Sequence, residues 1–127
     1  MDLAKFKSQT VLYVEDDQAI VDAFTKILRK VFGNVLVAYN GEEGLELYKK
    51  HQSDINFVIT DIKMPKMDGL DMSELIKQIN PDVPCILTTA HGEYDYFLKA
   101  DQIGIYRYIQ KPLNINDLLK ALDEYHL

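Results

Sequence analysis

Short apolar runs of strand length alternate with longer segments of helical period along this chain, and that alternation predicts a parallel sheet covered by helices. The runs are TVLYV (10–14), NVLVA (34–38), INFVIT (55–60), CILTT (85–89) and YRYIQ (106–110). Between the first two, Ile20, Phe24, Ile27 and Val31 mark the apolar face of a helix that stops near Gly33. Asn40 caps a second helix through EEGLELYKKHQ, and Met72, Ile76 and Ile79 stripe a third that ends before Pro81. A fourth runs from about Tyr94 to Ile103 and is closed by Gly104. A fifth, starting near Asn114 or Asn116, carries Leu118, Leu122 and Tyr125 on one face. No repeat or linker interrupts this order, so the expected fold is a single (βα)5 unit of the α/β class, with a domain over residues 10–127 and an N-terminal extension over 1–9. Within the extension, LAKF fits either an extra amphipathic turn or a frayed end.

In an open α/β sheet, ligands bind outside the carboxyl ends of the strands, where the strand order reverses. The first strand delivers Glu15 and Asp16 to that edge, the third Asp61, the fourth Thr88, Thr89 and Ala90, and the fifth Lys111-Pro112. With strand order 2-1-3-4-5, three acids, a hydroxyl and a lysine converge on one crevice. VLYVEDDQAI, residues 11–20, crowds Glu15, Asp16 and Asp17 at the start of a helix. Like charges about 4 Å apart repel by roughly 4 kcal/mol at an effective dielectric of 20, so the crowding calls for an offset. One offset is spreading out, with Asp17 capping the helix while Glu15 and Asp16 point into water; the other is a bound cation.

Composition narrows the class. The 127 residues suffice for one core without staples. Twenty acidic against 14 basic residues give −6, which argues against direct nucleic-acid binding. No apolar run approaches 18 residues, so neither membrane spanning nor secretion is expected. Cys85, the only cysteine, sits in the apolar VPCIL as a buried thiol, which excludes a disulfide framework and fits a cytoplasmic setting. The three histidines, His51, His91 and His126, have no metal-ligand spacing partners.

VLYVEDD, ITDIKMPKMDGL, TTAHG and YIQKP, in that order and each ending a predicted strand, resemble the signature segments of response-regulator receiver domains, the phosphoryl-accepting modules of two-component signalling. The resemblance spans about residues 10–125 and implies a flavodoxin-like, doubly wound five-stranded parallel sheet. It implies that Asp61 is phosphorylated by a sensor histidine kinase or a histidine phosphotransfer protein. By position, Glu15 and Asp16 match the acidic pair that holds Mg²⁺ (or Mn²⁺ in its place), with Asp61 and the backbone carbonyl of Lys63 as further ligands. Thr89 and Lys111 match the residues that contact the phosphoryl group, and Tyr108 the aromatic switch. Lys63 and His91 fall where side chains gate water's approach, and the Lys111-Pro112 bond is expected to be cis. Asp68-Gly69 reads as turn chemistry before the third helix.

The chemistry of these residue types agrees with that expectation. A carboxylate attacks phosphorus, and phosphoryl transfer rewards positioning and charge neutralisation. Mg²⁺ takes one or two carboxylates, keeps waters and accepts phosphate oxygens. The expected protein is therefore a signalling switch that catalyses only its own phosphorylation and dephosphorylation. Its readout lies on the surface of helix four, strand five and helix five, where Tyr94, Tyr96, Phe97 and Tyr106 cluster in sequence. The output, a separate partner or a fused domain, is not legible. One rival is a Mg²⁺-dependent aspartyl-nucleophile phosphatase, but DIK replaces the D-x-D such enzymes use and the chain leaves little room for a substrate cap. Another is a flavodoxin-like cofactor binder, but acids stand where its phosphate loop would be. A degenerate receiver that acts without phosphate fits less well, since every matched position carries a suitable side chain.

Overall fold

The computed structural model describes residues 3–90 and 94–125. Five strands, β1 (Thr10–Val14), β2 (Asn34–Ala38), β3 (Ile55–Asp61), β4 (Cys85–Thr89) and β5 (Arg107–Gln110), form one parallel sheet in the order 2-1-3-4-5. Five helices connect or follow them: α1 (Gln18–Val31), α2 (Gly41–His51), α3 (Gly69–Ile79), α4 (Phe97–Ile103) and α5 (Ile115–Glu124). Alternation along each strand divides the apolar side chains into two cores. Val11, Tyr13, Phe57, Ile59, Ile86 and Ile109 pack against α1 and α5, whereas Leu12, Val14, Val58, Cys85 and Leu87 pack against α2, α3 and α4. Burial pushes the Cys85 thiol up to about 11, so it stays an apolar neutral group.

Local chemistry sets the helix starts. Asp17 accepts from the N–H groups of Ala19 and Ile20, Asn40 from Glu43, Asp68 from Asp71, and Asn114 from Asn116 and Asp117. Gly104 ends α4 at φ +82°, a left-handed conformation that glycine adopts without a side-chain clash.

Some sequence expectations shift. The buried face of α1 is Val21, Phe24, Thr25 and Leu28; Ile20 and Ile27 are 36% and 39% exposed, because the face is rotated by about one residue from the predicted stripe. Ile79 likewise faces outward at 37%, leaving Met72 and Ile76 as the α3 anchors. Residues Tyr94–Tyr96 form a 3₁₀ turn, and the α-helix begins only at Phe97. Strand β3 runs one residue further than the apolar run and strand β5 starts one later. In the N-terminal segment, Ala4–Ser8 is a 3₁₀ turn that buries Phe6 completely, its ring 5.5 Å from that of Phe32, which lies 5.1 Å from Phe57. Lys5 pairs with Asp123 of α5.

Candidate functional site

The carboxyl ends of β1, β3 and β4 and the loop after β5 meet at one edge of the sheet. Glu15 follows β1 and is buried; Asp16 beside it is exposed. Asp61 closes β3, is only 7% exposed, and accepts the N–H of Ile62 through Oδ1 at 2.9 Å. Carboxylate oxygens of Glu15, Asp16 and Asp61 all lie within 4.8 Å of one another. Lys111, after β5, reaches back so that its Nζ stands 3.0 Å from Asp61 Oδ1 and 3.3 Å from Glu15 Oε1. Its N–H donates to the Thr89 carbonyl at 2.8 Å, continuing the β4–β5 ladder past the last paired residues, and the peptide to Pro112 is cis.

Why the backbone can place Asp61 here is visible in its neighbour across the loop. A Cβ on Gly69 would lie 1.9 Å from the Asp61 carbonyl oxygen, while the Gly69 N–H donates to the Ile62 carbonyl at 2.7 Å. The start of α3 is thus packed directly on the backbone that carries the carboxylate. Gly69→Ala is expected to force these segments apart and to cost about 2 kcal/mol, as overpacking does; a lowered urea midpoint reads it, and an unchanged midpoint would show that the loop yields freely.

Three acids share one lysine. Burial first, and the Asp61 charge second, push the Glu15 carboxyl up to about 7, against the pull of the Asp17 N–H and of Lys111. For Lys111, burial works against the charged form, but hydrogen bonding and attraction from Asp61 and Glu15 outweigh it and raise its pKa. The surplus negative charge and the all-oxygen donor set fit a hard divalent cation such as Mg²⁺.

On the other face of the sheet, Leu87 of β4 is in register with Tyr108 of β5, and Thr89 lies two residues beyond Leu87. Thr89 and Tyr108 therefore belong to the same face, with the buried Thr89 nearer the acids.

The family model for the response regulator receiver domain matches residues 11–123. The chain belongs to this family. Phosphoryl acceptance within two-component signalling is the general function of such receivers. This receiver is 33% identical to the uncharacterized transcriptional regulatory protein YesN of Bacillus subtilis over 90% of the chain and 31% of YesN. It is 27% identical to sporulation initiation phosphotransferase F of the same organism, covering 93% of the chain and 94% of that protein. Among solved structures, a CheX–CheY–BeF3–Mg²⁺ complex from Borrelia burgdorferi matches with a TM-score of 0.84 and 29% identity, over 94% of this chain and 90% of that one. The receiver thus spans under a third of YesN but nearly all of the phosphotransferase.

The receiver brings Glu15, Asp16, Asp61 and Lys111 together as the sequence led one to expect, with Asp17 as helix cap rather than as a member of the acid trio. Lys63 is exposed, its Nζ 5.9 Å from the centre of the Tyr96 ring. His91 and His126 lie outside the described residues, as does the side chain of Tyr94. Tyr106 is not a free surface aromatic: its hydroxyl donates to the Ala121 carbonyl at 2.6 Å and its ring meets Tyr125 edge-on. Sequence reasoning missed the groove beside the site. Ala19, Ile20, Ala23 and Ile27 of α1 face Pro112 and Leu113 across a cavity of about 670 Å³ that opens on Glu15 and Lys111. The signal was there: α1 carries more apolar residues than one buried face needs.

Proposed function

We propose that this receiver accepts a phosphoryl group on Asp61 from a phosphohistidine of a sensor histidine kinase or a histidine phosphotransfer protein, and passes the change to the face made by α4, β5 and α5. The observation that carries this reading is the single Lys111 ammonium held 3.0 Å from Asp61 and 3.3 Å from Glu15, inside a cluster of three acids. An Asp61 oxygen attacks phosphorus; the O–P bond forms, the P–N bond breaks, and the imidazole leaves with the electron pair and picks up a proton from water. Lys111 balances charge on a phosphoryl oxygen, and Thr89 donates its hydroxyl to another. Asp16, Asp61 and the Lys63 carbonyl would hold Mg²⁺, or Mn²⁺ in its place, with Glu15 acting through water; the ion would supply charge neutralisation to the phosphoryl oxygens. Thr89 moves inward to reach the group, and Tyr108 on the same face follows it. The protein turns over no external substrate beyond this transfer and the hydrolysis of its own aspartyl phosphate, in which water restores the Asp61 carboxylate and releases inorganic phosphate, and its setting is the cytoplasm.

Incubation with a small-molecule phosphodonor and Mg²⁺ should add one phosphoryl mass per chain, mapped to the peptide carrying Asp61 and prevented by EDTA. Absence of the added mass, or its location on another peptide, would remove the basis of this reading.

The groove between α1 and Pro112-Leu113 gives the donor protein an apolar seat beside the nucleophile. Ile20→Glu with Ile27→Glu is expected to slow transfer from a phosphorylated donor protein by about tenfold or more, as loss of a buried apolar contact does. Labelling by the small-molecule donor should be unchanged. Equal slowing with both donors would place the effect in the acid pocket instead.

A further inference from the structure

The tyrosine at position 108 does not stand free. Its hydroxyl donates to Asp101 Oδ1 at 2.5 Å and to the Phe97 carbonyl at 3.3 Å, and its ring lies over Phe97 with centroids 4.5 Å apart. All three contacts are to α4. Among the described residues Asp101 pairs with no cation, and its carboxylate's partner is this phenol. The position is an unfavourable one for an acid: Asp101 lies in the last turns of α4, where the helix's exposed carbonyls repel negative charge, and that end of the helix carries no basic residue. Burial above all, then the hydrogen bond to Asp101 and its charge, push the Tyr108 hydroxyl up to about 12, so it remains a donor at any ordinary pH.

We propose that Asp101 is a positioning residue for the switch, a latch that holds Tyr108 against α4 and so disfavours the conformation in which the tyrosine follows Thr89. This rests on the phosphoryl-accepting reading of the site. If the latched conformation binds the phosphoryl group less well, then removing the latch tightens phosphoryl binding by up to the factor by which the latch had disfavoured the competent conformation. The contact is a charge-assisted hydrogen bond, though partly exposed, and its loss should shift the balance by roughly three- to tenfold. A residue that merely held α4 together would behave differently. Taking an acid from the end of a helix leaves the helix no weaker and leaves the acid pocket untouched.

Beryllofluoride with Mg²⁺ serves as the probe, titrated into the wild-type chain, Asp101→Ala, Asp101→Asn, Tyr108→Phe and the double variant Asp101→Ala/Tyr108→Phe. Asp101→Ala should bind the probe roughly three- to tenfold more tightly than wild type, and Asp101→Asn, which keeps an acceptor oxygen without the charge, should fall between them. In the Tyr108→Phe background the Asp101→Ala change should have no further effect, since the partner hydroxyl is already gone. Equal affinities in wild type and Asp101→Ala, or an Asp101→Ala effect that survives undiminished in Tyr108→Phe, would overturn the latch while leaving the phosphoryl site standing. Failure of the wild type itself to bind the probe would overturn both readings, and so the two failures are told apart.

Discussion

Asp61→Asn is expected to take up no phosphoryl group, either from a small-molecule donor or from a phosphorylated donor protein. The carboxamide has the same shape, so its oxygen keeps the 2.9 Å hydrogen bond from the Ile62 N–H, and Lys111 keeps Glu15 at 3.3 Å as a partner. Packing around residue 61 is set by backbone contacts with Gly69, which the substitution leaves alone. What disappears is the anionic oxygen, and a neutral amide is a poor nucleophile toward phosphorus. The loss should therefore be complete in the intact mass while the unfolding transition stays cooperative. Uptake of the group by the Asp61→Asn variant would move the nucleophile to a neighbouring acid, Asp16 being the exposed one.

The second large effect concerns Mg²⁺ and pH. Glu15 has its folded-state carboxyl pushed up to about 7, above the value near 4.3 of an unperturbed glutamate. Between those two values the folded chain holds a proton that the unfolded chain has released. Metal-free stability therefore falls as pH rises from about 5 to 7 and levels off above, the reverse of the behaviour of a salt-bridged carboxylate whose pKa is depressed. Mg²⁺ requires the ionised acids, so its binding should strengthen as pH rises, by up to about tenfold per unit, until Glu15 is deprotonated near 7. Thermal unfolding at pH 5, 6, 7 and 8, with and without Mg²⁺, should thus show two curves that diverge upward in pH. In Asp16→Ala the Mg²⁺ response should largely vanish. Asp16 is exposed and within 4.8 Å of two other carboxylates, and it has no cation of its own among the described residues. At a water-like dielectric each repulsion is only about 1 kcal/mol, so the metal-free variant should melt a few degrees above metal-free wild type. An Asp16→Ala protein that responds to Mg²⁺ as wild type does would take Asp16 out of the metal site.

The strands and the acid pocket were legible because both are written in local terms. An apolar run of five or six residues declares a strand, and the residue at or just past its end is placed at the sheet edge by the topology alone, so Glu15, Asp61, Thr89 and Lys111 needed no tertiary knowledge. Helix faces are a different matter. Helix α1 has apolar residues at 20, 21, 24, 27 and 28, enough for two overlapping stripes, and only contact with Tyr13 and the rest of that core selects Val21, Phe24 and Leu28 over Ile20 and Ile27. Gly69 shows a similar limit. Its sequence context says turn, whereas its necessity comes from the Asp61 carbonyl, which approaches from a segment eight positions earlier. Asp101 is less legible still. Nothing in FLKADQI marks one acid out, and its significance arises from a tyrosine on a strand that the chain has yet to build.

The sheet's two faces have a consequence for how messages pass through this molecule. The groove along α1 and Leu113 lies on one side of the sheet, and Tyr108 with its α4 contacts lies on the other, with Asp61 at the rim they share. A donor seated in the groove and a listener resting on α4 would each meet the rim from its own side. If the groove seats the donor, the α4 part of the proposed readout face, on the far side of the sheet, stays uncovered, whereas α5 shares the groove's side.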